Sequence, residues 1–164
     1  MAEKIDLNTL PKGLTKEEFT ALPNFKKIRS FFTWAGVVSI GSGILICSEI
    51  GKTAESVFQA GGSYDDMSRL WAVKLNMLFM IFDIVMGILL LKKKTTKMAY
   101  ILAITELVYI VLVLVLGGTI GIGAIAFLLA LAGAIRIDKK WKQYQEISGG
   151  SNQLNHTGNS TART

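Results

Sequence analysis

Two acids stand where the sequence otherwise offers apolar side chains: Asp83 in LFMIFDIVMGIL and Glu106 in AITELVYI. A basic run, Lys92-Lys93-Lys94-Thr95-Thr96-Lys97, separates them. Asp83 precedes Lys92 by nine residues (92 − 83), and Glu106 follows Lys97 by nine (106 − 97). At 1.5 Å per helical residue, both acids would lie ~13 Å from the basic turn, near the middle of a ~30 Å hydrocarbon core. Two antiparallel helices would therefore carry them at one depth, although depth does not fix which way each side chain points.

A charge at the bilayer centre costs about 2.5–3.5 kcal/mol, so such residues face the protein interior, pair, or give up their charge. Two close carboxyls titrate as a coupled pair in which one holds a proton. That chemistry suits a proton relay or the exchange of a proton for a cation. Asn76 lies two helical turns before Asp83, and Tyr109 lies three residues after Glu106, so each can share its acid's face. Asn76, Asp83, Glu106 and Tyr109 are the candidate ion or proton site. The same acids have two plainer readings. Each can be a neutral group hydrogen-bonded within the bundle, or the partner of a basic residue on another membrane protein.

The elements that would position these residues are transmembrane helices. Hydrophobic residues make up 51% of the chain, and they cluster: residues 98–116 hold one charge and residues 120–135 none. Runs of this length satisfy their own backbone hydrogen bonds in lipid as helices. The spacing predicts four spans, at about 31–47, 70–91, 98–116 and 119–137. The expected fold is an all-α, integral membrane four-helix (tetraspan) bundle. Residues 1–29 form a polar, amphipathic leader, residues 30–147 the four-span domain, and residues 148–164 a polar tail expected to be disordered. The leader contains a capping box, Thr15 with Glu18. Its Phe19, Leu22, Phe25 and Ile28 suggest a segment lying along the lipid headgroups. Because the first apolar run begins near residue 30 behind this charged leader, it is expected to stay as a signal anchor.

Small residues mark where helices could approach closely. Ala35, Ser39 and Gly43 recur at four-residue intervals in the first span, and Gly117 and Gly121 have GxxxG spacing at the start of the fourth. The fourth span is otherwise rich in small residues, including Gly123, Ala126, Ala130 and Ala134. Gly61-Gly62 should end any helix formed by TAESVFQA in the first loop.

Lys26, Lys27 and Arg29 precede span one, four lysines fill the second loop, and Arg136, Lys139, Lys140 and Lys142 follow the apolar part of span four. The positive-inside rule then puts both termini in the cytoplasm, most simply at the cell membrane. This distribution also accounts for the net charge of +6 without a nucleic-acid partner. The single cysteine, Cys47, excludes an intrachain disulfide. Met77, Met80 and Met86 lack the span histidine or second cysteine of a soft-metal site, and His156 falls in the tail. No nucleophile–base pair, metal-ligand set or phosphate loop emerges, so neither enzyme activity, a cofactor nor a metal is expected. The expected partners are the lipid bilayer and either further copies of the chain or a larger membrane complex. The leading expectation is a small, non-enzymatic assembly or accessory subunit of a membrane complex. The alternative is a small proton- or cation-coupled transporter or channel subunit using Asp83 and Glu106.

Overall fold

The computed structural model describes residues 7–115 and 121–157, without the side chains of residues 8, 67–69 and 149–157. The described chain is helical, with no strand among the described residues. Its helices are α1 (Lys16–Ala21), α2 (Lys26–Gln59), α3 (Tyr64–Arg69), α4 (Trp71–Lys93), α5 (Thr96–Val115) and α6 (Gly123–Thr157).

The long helices form a closed ring. α2 packs along α4 and α6, α5 packs along α6, and α4 leans on α5. Neighbours run antiparallel. An added Cβ on Gly36 would lie 2.9 Å from the Gly87 carbonyl oxygen, and one on Gly43 would lie 3.0 Å from that of Met80, so α2 and α4 meet backbone to backbone. On the other side of α2, Gly133 of α6 makes room for the Phe32 ring. Phe32, Leu90, Leu102, Ala103, Ala130 and Ile137 make the apolar core.

Outward faces are apolar too: Leu78 is 64% exposed, Ile104 62% and Leu128 60%. Inside the ring lie Ser39, Ser42, Asp83 and Glu106, all buried. A protein folded in water seldom buries unpaired acids; among the described residues, this bundle buries Asp83 and Glu106 while its outward faces are apolar. Three helices, α2, α4 and α5, are long and apolar enough to cross a membrane. The fourth is shorter in its apolar part. α6 begins at Gly123 and meets its first charge at Arg136, 13 residues later (136 − 123). That length covers ~20 Å, less than the ~30 Å of a hydrocarbon core.

Several boundaries differ from those the sequence predicts. α2 does not stop near Cys47 but continues to Gln59, so most of the expected polar loop is helix. Polar residues continue a helix as readily as apolar ones once it leaves lipid, and a Lys52–Glu49 pair at 2.7 Å lies on this extension. The stop comes at the predicted glycines. Gly61 takes a left-handed φ of 79°, and the Gly62 N–H donates to Val57 O at 2.9 Å, a Schellman closure. α6 continues through residues 148–157, where the sequence suggests an unstructured tail; residues 158–164 lie outside the described residues.

The leader takes a different course from the headgroup-lying segment suggested by its pattern. Phe19 and Phe25 are fully buried against Tyr144 and, with Trp141, form a second aromatic core on α6. The Tyr144 hydroxyl donates to Pro11 O at 2.7 Å and accepts from the Leu14 N–H at 3.1 Å. Lys16 pairs with Asp138 at 2.7 Å. Within the described residues, the leader, the α4–α5 turn and the charged part of α6 therefore share one end of the bundle.

Candidate ion site in the bundle interior

α4 and α5 deliver the two acids from opposite directions, and each helix turns its acid inward. Asp83 and Glu106 are both 1% exposed. They are close enough for the charge of Asp83 to act on Glu106, and for both to act on Tyr109. The Tyr109 hydroxyl donates to Asn76 Oδ1 at 3.4 Å, a long bond, while its ring stacks at a tilt on Phe79, 4.6 Å between centroids. The four residues of the expected polar track thus lie near one another, Asp83 and Glu106 buried, Asn76 and Tyr109 half-buried.

Two serines of α2 complete it. Ser39 donates to the backbone carbonyl of Asp83 at 2.9 Å. The Ser42 hydroxyl lies beside the Asp83 carboxyl. Even so, neither oxygen of Asp83 nor either oxygen of Glu106 has a hydrogen-bond partner of good geometry. Buried polar groups normally find partners, and an orphaned buried carboxyl is the exception that calls for a ligand or a proton.

The other wall is the start of α6. The Glu106 carboxyl lies directly on Gly123, so close that an added Cβ there would lie 3.1 Å from Cδ and 3.2 Å from Oε1. Gly123 is the first residue of α6, so the acid lies beside the first turn of that helix. α6 thus starts partway down the bundle, at the level of Glu106. Tyr109, Ile110, Val113, Gly121, Gly123 and Ala124 line a small open pocket of about 10 Å³, close to the space needed for one water.

The helix-packing candidates separate. Ala35, Ser39 and Gly43 are buried inside the bundle, with Ser39 and Gly43 on the α4 seam. Gly121 has open space around it, and Gly117 lies outside the described residues. Sequence reasoning missed Gly36 and Gly87, whose backbones touch, because isolated glycines lack a repeat. It also missed Ser42, although its position three residues after Ser39 would have placed it on the same face. No three or more His, Cys, Asp or Glu side chains come together among the described residues in a way that could hold a metal ion.

Comparison with protein-family models, curated proteins and solved structures finds no match to this chain.

Proposed function

We propose that this chain is a small, four-span membrane protein that binds a proton or a cation between Asp83 and Glu106, acting as an ion-coupled transporter or channel subunit. The supporting observation is that two carboxyls, each 1% exposed, face one interior region without a hydrogen-bond partner of good geometry. Two bare carboxylates are too costly in such surroundings, and a proton or a desolvated cation relieves both. Tyr109 and Asn76 extend the polar region along the bundle.

The topology proposed with it has both termini in the cytoplasm and the chain in the cell membrane. It draws on the Lys and Arg distribution and on the antiparallel ring of four helices. The leading expectation from the sequence, an assembly subunit, included pairing of these acids with a basic residue of another protein. Their inward direction speaks against that route, because a partner helix approaches from the lipid side. Neither an enzymatic activity nor a cofactor forms part of this reading.

The test is pH-driven flux into sealed vesicles holding the full chain, followed with an internal pH dye under an imposed potassium gradient. Wild type should dissipate the gradient, and Asp83→Asn and Glu106→Gln should each abolish that flux while the protein stays folded. Wild-type flux no greater than that of empty vesicles overturns the transport reading and returns the assembly role to first place.

A further inference from the structure

At the end of the bundle that gathers the leader and the basic turn, the structure opens a cavity of about 370 Å³. Its walls are α1, the first turn of α2, and the α4–α5 turn. Five cationic residues line it, Lys16, Arg29, Lys93, Lys94 and Lys97, with a single acid, Glu17. Lys16 is already paired with Asp138. Among the described residues, Arg29, Lys93, Lys94 and Lys97 have no ion-pair partner. Like charges gathered around a concavity repel one another, and the arrangement is relieved by an anion.

The backbone adds to this charge. Thr95, Thr96 and Lys97 open the 20-residue α5 and line the same cavity, so the positive end of its dipole points there. Lys94 holds a left-handed conformation, φ 47° and ψ 38°, which turns the chain sharply between α4 and α5 and brings the two helix ends to one wall. The opposite wall depends on tertiary structure. α1 is fixed over the turn by the Lys16–Asp138 pair and by the Phe19 contacts with Trp141 and Tyr144. Tyr100 donates to the second oxygen of Asp138 at 2.9 Å and so orients it.

We infer that this cavity binds a phosphate-bearing anion, with an anionic phospholipid headgroup as its natural source. Arg29 supplies a planar donor fork, the lysines supply mobile point charges, and the first turn of α5 supplies backbone N–H groups. The cavity lies where the apolar helices end, which is the depth of headgroup phosphates; basic pockets between spans on the cytoplasmic side have this recognition chemistry. Its volume is within the range of small-molecule sites. A soluble phosphate would satisfy the same donors.

The experiment titrates the purified full chain in neutral detergent with phosphatidic acid, phosphatidylcholine and pyrophosphate, counting bound molecules by native mass spectrometry. One phosphatidic acid should bind per chain, with no saturable phosphatidylcholine site. Arg29→Gln combined with Lys97→Gln should weaken it about 30-fold, the effect of two cations near an anionic headgroup. Arg29→Lys with Lys97→Arg keeps the charge and should keep most of the binding. Lys139→Gln with Lys142→Gln removes the same charge away from the cavity and should leave binding unchanged. Cavity-dependent pyrophosphate binding as tight as that of phosphatidic acid would support the phosphate site and assign it to a soluble anion. Equal weakening by the two Gln pairs, or no one-to-one complex with either phosphate, would overturn the inference.

Discussion

The Ser39 hydroxyl hydrogen-bonds to the backbone carbonyl of Asp83, at 2.9 Å, rather than to its carboxyl. The bond ties α2 to α4 at the depth of the acid pair and leaves the carboxyl oxygens without partners. Ser39→Ala should therefore cost stability without changing ion binding. Interhelical hydrogen bonds in membranes are worth about 0.6 kcal/mol on average and about 1.7 at most. Unfolding in mixed micelles measures the loss, and a Ser39→Ala protein with altered proton flux would contradict this division of roles.

The glycine seam should be less forgiving. A Cβ on Gly87 would lie 2.7 Å from the Gly36 carbonyl oxygen and 3.2 Å from the Ile40 backbone nitrogen, so the helices themselves must separate. Gly87→Ala should destabilise the bundle by about 1–3 kcal/mol, as overpacking does. Gly121→Ala meets nothing within 4 Å and should be close to neutral. Thermal unfolding of the two variants in the same detergent compares them directly, and similar losses would refute the seam.

Gly123 offers a way to disturb Glu106 without altering its chemistry. Its missing Cβ leaves room for the Glu106 carboxyl, so Gly123→Ala should push that group aside. The expected outcome is a proton flux reduced towards that of Glu106→Gln, with Gly121→Ala as the unaffected control. Full activity in Gly123→Ala would show that the carboxyl does not need its place beside α6.

Acid should loosen the leader. The Thr15 backbone N–H and hydroxyl both donate to Glu18 at 2.8 Å, and these bonds hold its carboxyl below the ordinary value of 4.5. A lowered folded value means that the bond's contribution is fully present above about the unfolded value and is lost as pH falls through the folded one. Below pH 4.5, docking of α1 should weaken, and Glu18→Gln should remove that part of the pH dependence. Trp141 touches Phe19, 5.2 Å between ring centroids, so its fluorescence, with Trp34 and Trp71 replaced by Phe, reports the change. A pH response identical in Glu18→Gln would assign the loosening to another group.

Orientation can be settled by labelling single cysteines in a Cys47→Ser background. Ser63→Cys, after the α2 extension, should react with an impermeant reagent added outside cells. Lys92→Cys, at the basic turn, should react only after permeabilisation. The reverse pattern would invert the proposed topology.

Much of this was legible in the chain. The length and apolarity of α4 and α5 follow from their composition, and the shared depth of Asp83 and Glu106 follows from counting equal distances from one lysine-rich turn. The end of α2 at Gly61 was readable because only a residue tolerant of positive φ closes a helix in that way. The place of the leader was not legible, for a reason of range. Its apolar residues announce a buried face, but their partners Trp141 and Tyr144 lie more than a hundred residues away, and no local pattern names them.

Sequence alone determined that the two acids stand at equal distances from one basic turn, because helical rise converts residue number into distance. Only the tertiary structure decided that they face each other's surroundings, that Gly123 gives Glu106 its room, and that the leader closes a basic cavity over the turn. Rotation about a helix axis and contact between distant segments are set by packing, where a methyl group's width changes what fits.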